Sequence, residues 1–237
     1  MGGRKKINHV IETESGPWMA IPKDEIVPLA RGEIEKINDT SDLVLLVTDG
    51  YDVTVAAPPK LILDKFLEKD CKILFAAEKT CWPDSSLSAQ FVNTSGSEYS
   101  YLNSGAFIGY ADDILRLIKN FKGSNSDDDQ RFYIKEYLKD LHSHGSPTSS
   151  RTPSGFLLDN KCEIFQCMSY AEEDVQVNTR EGNVFNKRTG TSPLVVHGNG
   201  PEKTKVFFNT TLFLIIEFLL ISTPLEITQF LPIETES

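Results

Sequence analysis

The chain has 237 residues, 40% of them apolar, and a formal net charge of −10 at pH 7. That length and apolar content can build a sizeable core, as one large domain or two small ones. The acidic balance argues against nucleic acid or an anionic membrane surface as partner, since both need a basic face; phosphate ligands stay open, because a bound cation supplies positive charge locally.

Residues 1–26 read as an atypical, polar N-terminal segment. The basic start, Met1 to Lys6, is not followed by the apolar stretch of a signal peptide. A helix is expected from about Glu25 to Ile37, with Ile26, Leu29, Ile34 and Ile37 in loose helical period. Next, Leu43-Val44-Leu45-Leu46-Val47 runs unbroken into Thr48-Asp49-Gly50-Tyr51-Asp52. A continuous apolar run of this kind predicts a buried parallel strand, with both carboxylates just past its C-terminal end, where open α/β sheets place ligands.

Pro58-Pro59 then opens a helix over Lys60 to Lys69, and Cys71 to Ala77 reads as a second strand followed by a loop with Glu78, Trp82 and Pro83. Tyr101 to Tyr110 predicts a bend into a third strand, and Asp112 to Phe121 a helix. Ser124 to Gln130 is a polar cap with acids in the first turn, the start of another helix. His142 to Ser154 reads as a loop, Ile164 to Gln166 as a short strand, and Pro193 to His197 as a strand ending in the Gly-rich turn Gly198-Asn199-Gly200-Pro201. Strands alternating with helices make an α/β domain over residues 27–205.

The tail, residues 206–237, departs from this pattern. Its apolar run from Val206 to Ile221 is broken by Asn209, Thr210, Thr211 and Glu217. A mid-span acid costs about 2–3 kcal/mol in a bilayer, which favours a buried or partner-facing segment, with membrane contact as the alternative. Of the cysteines (Cys71, Cys81, Cys162 and Cys167) the last two, five apart, allow a local disulfide in an oxidising compartment; buried free thiols are the other reading. Three Asn-X-Ser/Thr triplets, at Asn38, Asn93 and Asn209, suit a chain that enters the secretory pathway.

Four groups of residues carry candidate chemistry. Asp49 and Asp52 are either turn-capping acids or a clamp for a divalent cation that neutralises a leaving diphosphate, and Tyr51 between them has a ring that can stack on a base. His197 is either a satisfied core histidine or the nitrogen of a mixed N/O site of the kind Mn²⁺ accepts. The glycines beside it let backbone approach phosphate, with Asn199 and Lys203 as donors. Asp127-Asp128-Asp129 is a solvated helix start or a site for sugar hydroxyls. Asn103 and Ser104, before Gly105, suit a sugar hydroxyl or donor phosphate, and Glu78 and Trp82 an acceptor.

In this order the motifs Thr48-Asp49-Gly50-Tyr51-Asp52-Val53, Ala77 to Pro83, Tyr101 to Tyr110, Asp127 to Tyr133, Ile164-Phe165-Gln166 and Val195 to Pro201 resemble the N-terminal glycosyltransferase domain of the collagen lysyl hydroxylases (procollagen-lysine 5-dioxygenases). The resemblance covers about Val27 to Lys203 and extends more distantly to the collagen galactosyltransferases. It implies a type A glycosyltransferase fold, Mn²⁺ as cofactor, UDP-glucose as donor, galactosyl-hydroxylysine of collagen or procollagen as acceptor, and retention at the anomeric carbon. It further implies Asp49, Asp52 and His197 as metal ligands and Tyr51 on uracil. Asn199, Gly200 and Lys203 would hold the diphosphate, Asp128 and Asp129 would lie beside the transferred sugar, and Glu78 and Trp82 would shape the acceptor pocket. The endoplasmic reticulum lumen is the implied location, and a homodimer is compatible with it.

The chain departs from that family in three respects. Residues 1–26 do not read as the family's first strand and nucleotide-binding loop, so a truncated domain is expected. Ala106 stands where a second glycine is usual. No His-X-Asp occurs, so the lysine hydroxylation of the family's oxygenase half is not expected of this chain. The competing expectation is a non-catalytic scaffold domain.

Overall fold

The computed structural model describes residues 31–32, 34–37, 40, 43–49, 52–93, 96–121, 128–143, 151–178 and 183–200. Tyr51, Asp127, all residues after 200, including Lys203 and the 206–237 tail, and most of the expected Glu25–Ile37 helix lie outside them. No helix among the described residues is long and apolar enough to cross a membrane.

Four strands form the central sheet in the order β1-β4-β3-β5: β1 (Val44–Thr48), β3 (Ile73–Glu78), β4 (Tyr101–Tyr110) and β5 (Phe156–Leu158). A smaller sheet joins β2 (Val53–Val55), β9 (Val195–His197) and β6 (Phe165–Cys167) in the order β2-β9-β6, and β7 (Val175–Asn178) pairs with β8 (Asn183–Asn186) as a hairpin. Among the described residues, helices α1 (Pro59–Glu68), α2 (Ala111–Ile118) and α3 (Asp129–Leu141) accompany them.

Alternate residues of the central sheet face two cores, as the two-residue strand period requires. On one face Leu45, Ile73, Phe75, Leu102 and Phe107 pack against Ile114, Leu117 and Ile118 of α2 and Tyr133, Ile134, Tyr137 and Leu138 of α3. On the other, Val44, Leu74, Ala106 and Ile108 meet Ile62, Leu63 and Phe66 of α1, together with Phe165, Cys167 and Val195 of the smaller sheet. The result is an α/β sandwich with mixed sheets, consistent with a type A glycosyltransferase-like domain.

One expectation is corrected here. Among the described residues β1 has no parallel neighbour: it pairs antiparallel with β4, from Val44 opposite Tyr110 to Thr48 opposite Ala106. Its unbroken apolar run reflects coverage on both faces, Val44 by one core and Leu45 by the other. Such coverage gives the same sequence pattern whichever way the neighbouring strand runs.

Between β3 and β4 the register jumps. Phe75 faces Phe107, but Ala76 faces Asn103. Ser104, Gly105 and Ala106 therefore have no partner on β3, while Ala106 still pairs with Thr48 on the other side. Irregularities of this kind re-aim side chains beside functional sites, and this one lies where the candidate residues gather.

Helix α3 starts as its acids predict. Asp128 is its N-cap, with a side chain that accepts from the Arg131 N–H at 3.3 Å, and Asp129 lies in the first turn, where the helix dipole favours negative charge. A 3₁₀ turn over Ser85–Gln90, capped by Asp84, the short strands β2 and β5, and the β7–β8 hairpin are structure that the hydropathy pattern did not signal. All four cysteines are free, and Cys162 and Cys167 are buried as thiols, not joined.

Candidate metal and sugar-transfer site

Three strand ends converge at the irregular stretch of β4. Asp49 follows β1, and its N–H donates to the Gly105 carbonyl at 2.9 Å. Asp52 precedes β2, and its carbonyl accepts from the Gly198 N–H just beyond β9. His197, the last residue of β9, is only 4% exposed. Its Nε2 lies 3.5 Å from Asp49 Oδ2 and 3.4 Å from Asp52 Oδ2.

Those separations are long for hydrogen bonds but suit ligands of one ion, since two donors about 2.1 Å from a six-coordinate cation and at right angles sit about 3 Å apart. One ligand atom from each of the three residues falls within 4.8 Å of the others. Two carboxylate oxygens and an imidazole nitrogen form a donor set that Mn²⁺ accepts. Both carboxylates are about half exposed, with side-chain exposures of 46% and 41%, so a ligand can enter from solvent. Burial pushes the Asp52 pKa up, but the neighbouring His197 imidazole outweighs it and holds the carboxyl below its usual range.

Gly105 makes room for this cluster. A Cβ built there would lie 2.1 Å from His197 Cε1, 2.6 Å from its Nδ1 and 2.7 Å from Asp49 Oδ2. No side chain fits between the strand and the His197 ring and Asp49 carboxylate. The sequence marks Gly105 as a flexible backbone position; its role as the floor under His197 depends on the register jump, which the sequence does not display.

Behind the cluster lies a buried network of amides around Glu78, itself 2% exposed. Glu78 Oε1 accepts from Gln130 Nε2 at 2.7 Å and Asn103 Nδ2 at 3.1 Å, and Oε2 accepts from Asn199 Nδ2 at 3.0 Å. Burial pushes the Glu78 pKa above its ordinary value, with the bonds from Asn103 and Gln130 opposing. Asn103 Oδ1 also meets His197 Nδ1 at 2.9 Å. Gln130 was not among the residues singled out from sequence; it stands one residue after the acidic run and has no signal of its own.

The other candidates surround this network. Ser104 Oγ donates to Asp129 Oδ2 at 3.2 Å, which ties the first turn of α3 to β4. Trp82 is 61% exposed, and its carbonyl accepts from Gln130 Nε2 at 2.8 Å, so its indole stands on the rim. Asn199 Oδ1 accepts from the Met168 and Ser169 N–H groups, which engages both ends of its amide within the protein. Gly200 has φ of +111°, with a hypothetical Cβ 3.1 Å from Ser169, so the turn after His197 requires glycine. Asp49, Asp52 and His197 thus meet directly, and Glu78, Asn103, Ser104, Asp129 and Asn199 lie in the network around them.

Comparison with known proteins identifies the family of the chain. The family model described as "PLOD GT domain" matches residues 23–212. The chain is 35% identical over 176 residues to the multifunctional procollagen lysine hydroxylase and glycosyltransferase LH3 of Homo sapiens, a match covering 73% of this chain and 23% of that protein. It is 36% identical over 182 residues to procollagen-lysine,2-oxoglutarate 5-dioxygenase 1 of Mus musculus, covering 76% of this chain and 24% of that protein. The chain therefore spans about a quarter of the length of the curated relatives it matches. With its α/β architecture and its Asp-Asp-His cluster, the chain belongs to the PLOD glycosyltransferase domain family.

Proposed function

We propose that this chain is a Mn²⁺-dependent glycosyltransferase domain that moves glucose, or galactose, from a UDP-sugar to hydroxylysine-linked sugar in collagen or procollagen. The observation that carries this reading is the convergence of Asp49, Asp52 and His197 from three strand ends on one point open to solvent. A bound Mn²⁺ supplies Lewis-acid neutralisation of the leaving diphosphate.

The chain's own residues divide the remaining work. Asp49, Asp52 and His197 would hold the cation. Gly200 would let backbone approach the diphosphate, Asn199 and Lys203 would be the donors to it, and Tyr51 would stack on the uracil. Asp128 and Asp129, at the head of α3, would lie beside the transferred sugar with Ser104, with Asn103 buried behind them. The exposed ring of Trp82 offers the acceptor sugar a flat apolar surface, and Glu78 sets the floor behind it. The name of the human relative joins lysine hydroxylation of procollagen to glycosyl transfer, which supports a collagen acceptor; the Asn-X-Ser/Thr triplets fit the endoplasmic reticulum lumen as the place of work.

The test is transfer from UDP-[¹⁴C]glucose to deglucosylated collagen with and without Mn²⁺. The expected result is metal-dependent incorporation that Asp52→Ala abolishes, at least ~100-fold, with the circular dichroism spectrum unchanged. A folded chain with no Mn²⁺-dependent incorporation, and no heat of binding for UDP with Mn²⁺, would favour a non-catalytic scaffold.

A further inference from the structure

The amides around Glu78 carry an inference that deepens the metal-site reading and rests on it. The orientation of each amide is fixed by a backbone group that has only one polarity. Gln130 Oε1 accepts from the Ser104 N–H at 3.4 Å while its Nε2 donates to the Trp82 carbonyl at 2.8 Å. Asn199 Oδ1 takes two backbone N–H groups, from Met168 and Ser169. Asn103 Oδ1 accepts from the Gly105 N–H at 3.0 Å. In each case the opposite end of the amide is an NH₂ group, and all three NH₂ groups point at the Glu78 carboxylate.

This orientation dictates the proton on the histidine. With Asn103 Oδ1 set as an acceptor, the atom 2.9 Å away, His197 Nδ1, must be the donor. Its Nε2, on the far side of the ring, then faces Asp49 and Asp52 and is the nitrogen left to offer its lone pair to a cation held between them.

We propose that Asn103 is a positioning residue that fixes the imidazole of His197 with its proton on Nδ1, and that Glu78 and Gln130 hold Asn103 in that orientation. The Glu78 carboxylate thereby acts on the cation site through one amide and one imidazole. Oriented second partners of this kind commonly govern metal affinity by 10–100-fold. None of these groups needs to touch the cation or the sugar for the effect.

The test reads His197 in the full chain by long-range ¹⁵N NMR without metal; the histidines are His9, His142, His144 and His197, so assignment is tractable. The expected signal is a proton on Nδ1 that exchanges slowly with solvent; an unprotonated Nδ1 overturns the proposal, whatever the metal does. Separately, Mn²⁺ alone is titrated by electron paramagnetic resonance. Asn103→Ala is expected to weaken binding ~10–100-fold, and Asn103→Asp, which keeps an acceptor for the Nδ1–H, to bind at least ~10-fold more tightly than Asn103→Ala. Equal affinities for wild type and Asn103→Ala, or for the two variants, also overturn the proposal. Should Asn103→Ala fail to fold, the wild-type spectrum and the wild-type-to-Asn103→Asp comparison decide, with a loss of more than ~100-fold in Asn103→Asp counting against it. A wild-type chain with Nδ1 protonated but no affinity for Mn²⁺ would instead remove the transferase reading and leave the positioning geometry intact.

Discussion

Gly105 is the residue on which the site is least forgiving. Replacing it with alanine forces a methyl group into the space of the His197 ring and the Asp49 carboxylate. The ring is walled in by β9 and β4 and has no easy retreat. Gly105→Ala is expected to lower Mn²⁺ affinity at least ~100-fold and to cost ~1–3 kcal/mol of stability from overpacking; isothermal titration and urea unfolding check the two effects. An affinity within threefold of wild type would mean that the cluster is not the cation site.

Asp174 shows the same economy in an ion pair. Its Oδ2 accepts from Lys79 Nζ at 2.6 Å and from the Tyr99 hydroxyl at 2.9 Å. Burial pushes its pKa up, but Lys79 and Tyr99 more than offset that and leave it below the ordinary carboxylate value. A carboxyl depressed in the folded state contributes stability that is complete above its unfolded pKa of about 3.9 and is lost as pH falls through the folded value. Asp174→Asn should therefore cost ~1.5–3 kcal/mol at pH 7, and the gap to wild type should narrow in urea melts below about pH 4. A gap that does not change with pH would show that packing, not charge, is what the substitution removes.

Among the elements, legibility followed how each residue meets its core. The metal candidates could be read because Asp49, Asp52 and His197 stand at the ends of apolar runs, where hydropathy changes abruptly. α3 could be read from its cap, since Asp128 makes a local bond that needs no tertiary partner. The direction of β1 could not, because Val44 and Leu45 are buried on opposite faces whatever the neighbouring strand does. β5 and the β7–β8 hairpin escaped notice because three- and four-residue strands hold too few alternations to declare a period. The hairpin is anchored by a polar network instead: Asn186 Nδ2 donates to Gln166 Oε1 at 2.7 Å and to the Tyr99 hydroxyl at 3.1 Å. Gln130 was illegible for a related reason, since its importance lies wholly in what β3 and β4 bring to it.

At the scale of the whole molecule, the thiols report on how the two cores close. Burial pushes Cys71 up to about 11, and Cys81, with Asp84 and Glu78 adding to burial, to about 11 as well. Cys162 and Cys167 are pushed up too, and both lie in the core. At pH 8 a thiol with such a value is only about one part in a thousand thiolate. The folded chain should therefore react with Ellman's reagent orders of magnitude more slowly than free cysteine, while urea without reductant should release four titratable thiols, the number of cysteines in the chain. Fewer than four would show that an oxidised pair forms in the protein as made.

The offset between β3 and β4 makes chain length itself a requirement. The interval Ser104-Gly105-Ala106 separates two stretches of ladder that are each anchored by large side chains, Leu102 on one side and Phe107 on the other. Shortening that interval by one residue leaves only two outcomes. Either one stretch of the ladder lets go, or everything beyond it turns inside out, because adjacent strand residues point to opposite faces. A chain lacking Ser104 should thus lose cooperative thermal unfolding, read by circular dichroism, where Ser104→Ala keeps it. The length of this stretch is thus set as firmly as the identity of Gly105 within it.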